Sequence, residues 1–437
     1  MRPLATAPLT VLATRSVALL AALVVVLATA TAAPAAGGGG LTGPTSSTPQ
    51  SAAMTRGLNA GMRQAGIDSG AEVVDLTTGA VLYDHADSVA RIPASVEKLY
   101  TTSTALERFG STATVTTALL GQGARVGATW RGALYLRGGG DPTFGSAAFD
   151  RRAYGTGATV QALVAGLRAD GIRTVTGPIV ADASLFDGDK GTPATDNQPS
   201  IDVEGALSAL AFNRDWADSD GEVYWAHPAL EAGDQLRDAL RAAGIRVSDR
   251  TARIGRTPAG ATPLASVRSP TIATLIALTN TPSDNFFAEM LLKDIGAHFG
   301  TGGTTAAGAA VVRSTIAAKF GLHPFLIDGS GLSYRDRTSP AQVISLLSQM
   351  AGDSAFRNSL ATVGRSGTLA LENRDTYAQG RCTGKTGTLS DVSNVVGYCR
   401  AQDGNTLAYA FLMNGVDPDA AHLVQDRMEV AVARYDG

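Results

Sequence analysis

The sequence predicts an α+β fold in which both ends of the chain build one domain and the middle contributes an inserted mixed α/β region. Two observations carry this. A strand hairpin and a helix near the start are matched by three strands and a helix at the end, complementary parts of one sheet-and-helix layer. Between them, residues 113–261 change character, with short strand-like runs, one clear helix and many Gly, Asp and Thr turns. Composition sets the outer bounds. The 437 residues are 44% hydrophobic and 17% charged, which excludes a disordered chain. Lys and Arg number 36 against 39 Asp and Glu, so a strongly basic nucleic-acid binder is excluded too. Two cysteines make neither a disulfide scaffold nor a Cys-rich zinc module.

The elements follow in order. Arg2 and Arg15 precede an apolar run, Val17 to Ala33, that ends in small residues. Residues 1–35 therefore read as a secretory signal peptide, with an uncleaved N-terminal membrane anchor as the alternative. Residues 36–53, rich in Gly, Ser, Thr and Pro, read as a flexible linker. Residues 71–84 form the hairpin around Thr77-Thr78-Gly79, and a helix runs from Pro93 to Phe109, stopped by Gly110. The inserted region holds strand-like runs at Gly132–Leu136 and Val175–Ala181 and a helix near Val160–Asp170. Helical periodicity then dominates 268–279, 285–299, 304–320 and 338–351, before strands at 381–389, 393–400 and 406–413 and a helix near 419–434. The outer domain is thus expected to comprise 54–112 and 262–437. Cys382 and Cys399 fall opposite each other if the first two of those strands pair, so a disulfide is expected in an oxidising compartment, with two buried thiols as the alternative.

Three short motifs carry chemistry. In Ser95-Val96-Glu97-Lys98 the spacing of three puts Lys98 within reach of the Ser95 hydroxyl on one helix face. Ser95 sits in a first turn whose free N–H groups favour a developing oxyanion. A capping box would place Glu or Gln where Lys98 stands, so a cation there breaks a local rule. In Ser283-Asp284-Asn285, Ser283 offers a hydroxyl that can pass a proton and Asn285 an amide that both donates and accepts. The competing reading of that motif is a helix N-cap. In Gly384-Lys385-Thr386-Gly387-Thr388 a strand beside a cleft can pair with an extended peptide, and Lys385 adds a charge that would depress the pKa of Lys98. The competing reading there is a solvated turn with a surface lysine. The chain has only five lysines, which makes two in such settings informative.

Ser-x-x-Lys, Ser-Asp-Asn and Lys-Thr-Gly, each once and in this order, are the signature set of penicillin-binding proteins and serine β-lactamases. From about residue 70 onward the chain resembles the D-alanyl-D-alanine carboxypeptidase/endopeptidase family of class C low-molecular-mass penicillin-binding proteins, the DacB type. Further stretches carry the likeness: Gly138-Gly139-Gly140-Asp141-Pro142-Thr143, Leu207 to Arg214, Ser283 to Met290 and Asp328-Gly329-Ser330-Gly331-Leu332-Ser333. So does the gap of about 185 residues between Lys98 and Ser283, although the insertion is short for this family. The resemblance implies a transpeptidase-like domain, an antiparallel sheet flanked by helices. It implies Ser95 as acylated nucleophile, Lys98 as general base, Ser283 as proton relay, Asn285 as substrate contact and Lys385 as electrostatic support. Thr386, Gly387 and Thr388 would bind substrate, and the backbone N–H groups of Ser95 and Thr388 would form the oxyanion hole. The expected partners are peptidoglycan stem peptides and β-lactams. No nucleic acid, metal or cofactor is expected, and membrane association would run only through the N-terminal segment.

Rival readings fare worse. No Gly-x-Ser-x-Gly elbow occurs, and His85, His227, His298, His323 and His422 are scattered. No His-Glu-x-x-His pattern supports a metallohydrolase. The glycines at 138–140 lack the Lys-Ser/Thr of a phosphate loop. A serine β-lactamase of the same superfamily and a non-catalytic wall-binding scaffold remain the alternatives, separable by turnover of a β-lactam.

Overall fold

The computed structural model describes residues 49–248 and 250–437. The expected signal segment 1–35, and the linker as far as residue 48, lie outside the described residues. The linker reading fails at its end: residues 49–53 open the first helix.

In chain order the elements are α1 (Pro49–Ala65), β1 (Ser69–Asp75), β2 (Val81–His85), a 3₁₀ turn (Ala94–Glu97), α2 (Lys98–Phe109), β3 (Thr116–Val126) and β4 (Thr129–Arg137). Then come α3 (Ala147–Ala153), α4 (Val160–Ala169), β5 (Thr174–Val175), β6 (Ile179–Asp182), α5 (Pro228–Ala242), β7 (Arg246–Val247), β8 (Arg253–Ile254) and β9 (Thr262–Arg268). The last part holds α6 (Ile272–Asn280), α7 (Asn285–Phe299), α8 (Thr305–Phe320), α9 (Pro340–Met350), α10 (Ser354–Asn358), β10 (Ala361–Thr362), β11 (Cys382–Leu389), β12 (Val392–Arg400), β13 (Thr406–Asn414) and α11 (Pro418–Ala433).

Both chain ends meet in one antiparallel sheet, ordered β10-β11-β12-β13-β1-β2. Its central strands are apolar on both faces, and the alternation assigns each face a core. Leu407, Tyr409, Phe411 and Met413 face α1 and α11, together with Met54, Leu58, Val424 and Met428. Ala408, Ala410 and Leu412 face the helical side, with Leu99, Phe286, Leu291, Ile316 and Leu346. The helices of that side are capped as their sequences suggest. Thr271, Asp284, Thr304 and Ser339 each accept a first-turn N–H, and Gly321 closes α8 in the left-handed region. Cys382 and Cys399 are register partners, their sulfurs 2.05 Å apart. Among the described residues no helix is long and apolar enough to cross a membrane.

The middle of the chain forms a second, mixed sheet with its own core around Leu134, Leu163, Ile179 and Leu236. Three expectations need correction here. Val175–Ala181 is two strands, because Thr176-Gly177-Pro178 cannot continue a ladder. Residues 262–268 do not belong to the outer sheet or its helices: β9 pairs antiparallel with β3 in the second sheet, and helix begins only after the Thr271 cap. The helix expected from Pro93 begins as a 3₁₀ turn, since Ala94 is held at φ +47°.

Candidate active site

The 3₁₀ turn places Ser95 at the head of α2, with no side-chain capping bond at that helix end. Its hydroxyl is therefore free for other work. Lys98 is fully buried and makes three hydrogen bonds, donating to Ser95 Oγ at 2.8 Å, Asn285 Oδ1 at 2.5 Å and the Ser330 carbonyl at 2.7 Å. As an ammonium it is saturated. As a neutral amine its two N–H groups remain on the two carbonyl oxygens, which leaves its lone pair for the Ser95 hydroxyl proton. Lys385, also fully buried, donates to Ser283 Oγ and to the Thr386 carbonyl, both at 2.7 Å.

The Ser-Asp-Asn turn satisfies both readings of its sequence. Asp284 is the N-cap of α7 and accepts the Phe287 N–H at 2.9 Å. Ser283, at φ +68°, and Asn285 are thereby turned toward the two lysines. A non-glycine residue at positive φ costs about 1–3 kcal/mol, and strain of this kind gathers at functional sites. Asn285 Nδ2 donates to the Asp202 carbonyl at 2.6 Å, which commits Oδ1 to Lys98.

β11 closes against the turn that carries Ser95. A Cβ at Gly387 would lie 2.6 Å from the Pro93 carbonyl and 3.1 Å from the Ser95 nitrogen, so only glycine lets the strand approach so closely. One edge of β11 is paired along its length with β12, whereas β10 covers the other only at Thr383 and Gly384. The edge from Lys385 to Leu389, with Thr386, Gly387 and Thr388, is left for another strand. A groove of about 440 Å³ continues from Leu389 and Ser390 past Tyr334, Ser333 and Asp202.

Burial lowers the Lys98 pKa to about 8, opposed by the carboxyls of Glu97, Glu204, Glu289 and Asp328. Burial first and then the Lys98 charge push Lys385 well below the ordinary lysine range, and the repulsion between the two lysines is mutual. Lys98 sits among acids and Lys385 does not, so the substrate-free site favours the proton on Lys98.

Sequence reasoning missed what lies beneath Lys98. Burial raises Glu97 well above its usual range, Glu289 to about 7 and Asp336 to about 11. Burial and the neighbouring Asp328 carboxyl favour the protonated form of Asp336, whose Oδ1 accepts the Ile327 N–H at 2.7 Å, while Asp328 accepts the N–H groups of Gly331 and Ser333. Glu289 accepts the N–H groups of Gly329 and Ser330, and so presents the Ser330 carbonyl to Lys98. The signal available was a glutamate inside an apolar helix run, Ala288-Glu289-Met290-Leu291-Leu292. Gly331 completes this contact at φ +81°, where a Cβ would lie 1.9 Å from the Ala94 carbonyl. Gly331→Ala is expected to destabilise the protein by about 2–4 kcal/mol, combining overpacking with φ strain. Urea unfolding measures this, and wild-type stability would show that the loop and the Ser95 turn are not in such contact.

Comparison with known proteins gives the family and the fold. The family model for "D-Ala-D-Ala carboxypeptidase 3 (S13) family" matches residues 58–204 and 195–435. A D-alanyl-D-alanine carboxypeptidase of Actinomadura sp. (strain R39) is 28% identical over 85% of this chain and 82% of its own length. Carboxypeptidase DacB of Mycolicibacterium smegmatis is 29% identical over 79% of this chain and 76% of its own. The crystal structure of penicillin binding protein 4 (dacB) from Haemophilus influenzae, complexed with a β-lactam, shares the fold at TM-score 0.70. It is 18% identical and covers 87% of this chain and 99% of that one. The chain belongs to the D-Ala-D-Ala carboxypeptidase 3 (S13) family and is a serine-type D-Ala-D-Ala carboxypeptidase.

Proposed function

We propose that this enzyme works outside the cytoplasm, trimming peptidoglycan stem peptides, and cleaving cross-links as an endopeptidase, through an acyl-enzyme on Ser95. The observation that carries the reading is the Lys98 amine, fixed by two carbonyl oxygens with its third direction on Ser95 Oγ. An extended peptide lies along the open edge of β11, its terminal carboxylate drawn toward Lys385. That carboxylate favours the ammonium on Lys385, and the shared repulsion then favours the neutral amine on Lys98. Ser95 Oγ attacks the penultimate D-alanyl carbonyl carbon while Lys98 takes the hydroxyl proton. The oxyanion forms between the backbone N–H groups of Ser95 and Thr388, a role supported by the approach of Gly387 to the Ser95 nitrogen. Ser283 gives its hydroxyl proton to the leaving amine as the C–N bond breaks and regains one from the Lys385 ammonium. Water then attacks the ester, its proton returning to Lys385, and Lys98 gives its proton back to Ser95 as the ester bond breaks.

Action on peptidoglycan, which the family implies, requires export, and the N-terminal signal segment supports it. A Cys382–Cys399 disulfide fits the same compartment. β-Lactams acylate the same serine, as the β-lactam complex of the Haemophilus protein supports. The experiment incubates the protein with a D-Ala-D-Ala-terminated stem peptide, with and without benzylpenicillin, and measures free D-alanine. Release that penicillin blocks through a slowly hydrolysed covalent adduct is the expected result. Rapid, repeated penicillin hydrolysis without D-alanine release would replace this reading with that of a β-lactamase, and neither activity would leave a wall-binding scaffold.

A further inference from the structure

The Ser283–Asn285 turn is held from outside its own domain. Arg214, buried in the inserted region, grips Asp284 with both guanidinium branches, Nη1 to Oδ2 at 2.6 Å and Nη2 to Oδ1 at 3.0 Å. Its Nε donates to the Glu204 carbonyl at 2.8 Å, and Nη2 lies 3.4 Å from Glu204 Oε2. That same Oε2 accepts the Asn285 backbone N–H at 2.9 Å. The guanidinium lies over the ring of Phe286, 4.9 Å from its centroid, which limits its lateral freedom. Arg214 thus joins Asp284, the middle residue of the turn, to Glu204, which holds the Asn285 N–H.

The backbone around this clamp is costly. Asn213, Arg214 and Asp215 stand in succession at φ +53°, +60° and +60°, and Glu204 is at +63°. None of the four is glycine, and each such residue costs about 1–3 kcal/mol. A surface ion pair at a helix cap, worth well under that sum, would not require it. What the strain achieves is direction: it delivers one planar fork to Asp284 and one carboxylate to the Asn285 N–H.

We propose that Arg214 is a positioning residue for catalysis, holding the Ser283 hydroxyl and the Asn285 amide in register with Lys385 and Lys98. The inserted region is then part of the active site and not an appendage. This rests on the serine acyl-transfer reading above.

The test compares Arg214→Gln, Arg214→Lys, Asp284→Asn and the Gln/Asn double variant, with Ser95→Ala as control. Fluorescent penicillin titration first counts the active protein, and rates are then expressed per titratable molecule. Arg214→Gln is expected to lower kcat and the acylation rate on the order of 10- to 100-fold, the cost of a small misplacement of reacting groups. KM should change by less than about threefold, since the open edge of β11 and Lys385, which are proposed to bind the peptide, are not held by Arg214. Arg214→Lys, which keeps charge and loses the fork, should recover only part. On the Asp284→Asn background Arg214→Gln should add little, because the two act as one unit. A wild-type kcat per titratable molecule in Arg214→Gln would overturn the proposal, as would a rise confined to KM. Labelling that persists in Ser95→Ala would instead sink the acyl-enzyme reading on which it rests.

Discussion

Ser95→Ala is expected to abolish covalent penicillin labelling and to lower kcat for D-alanine release on the order of 10⁶-fold, the scale seen when a nucleophile is deleted from a preorganised site. Folding should survive. Ser95 makes no capping bond, and its hydroxyl contacts only the Lys98 amine among the hydrogen bonds of the described residues. Lys98 keeps its bonds to Asn285 and Ser330 in the variant, so the buried amine is not orphaned. Substrate binding should persist as well, because the open edge of β11 and Lys385 are unchanged. The measurements are gel fluorescence after labelling, D-alanine release, and peptide affinity by calorimetry. Retained affinity with lost turnover is the expected pair of results. Substantial turnover in Ser95→Ala would mean that another group attacks the carbonyl.

The residues of the centre are legible in the sequence because each motif is short and its geometry local. Spacing by three fixes Lys98 over Ser95 once a helical turn is granted, and the structure has them 2.8 Å apart. The Lys385–Ser283 contact is less local, and only the joint occurrence of the motifs points to it. The outer sheet is similarly legible from its hairpin, its last three strands and the cysteine register. What is not legible is set by long-range packing. Glu289 reads as one charge in an apolar helix, and its task emerges only when the loop at 329–331 is laid against it. Arg214 ends a stretch that carries the family likeness, but its task is hidden, because nothing local announces a carboxylate 70 residues away. β9 escapes for the opposite reason. Its residues are half exposed and show no clean alternation, so its identity as a strand comes from the free edge of β3.

Lys98→Arg is expected to keep the buried positive charge but remove the base, lowering the acylation rate on the order of 10²–10⁴-fold, the usual worth of general base catalysis. Arginine cannot be deprotonated at accessible pH, so no neutral form presents a lone pair to Ser95. The wild-type pH profile gives a second signature. Lys98 must be neutral to accept the proton, and its pKa lies at about 8. Below that value the amine is protonated and kcat/KM should fall tenfold per pH unit; above it the rate should level off. The limb belongs to the two lysines together, since the Lys98 charge acts on Lys385. The same shift has a stability consequence of definite sign. A lysine whose pKa is lowered on folding binds fewer protons in the native state, so this term stabilises the fold as pH rises from about 8 toward the unfolded value near 10.5. Lys98→Arg should remove the Lys98 contribution to both effects. Penicillin acylation rates from pH 6 to 10, for wild type and variant, decide the matter. A variant that retains the wild-type limb would show that the titrating base is not Lys98, and would move the role to Lys385.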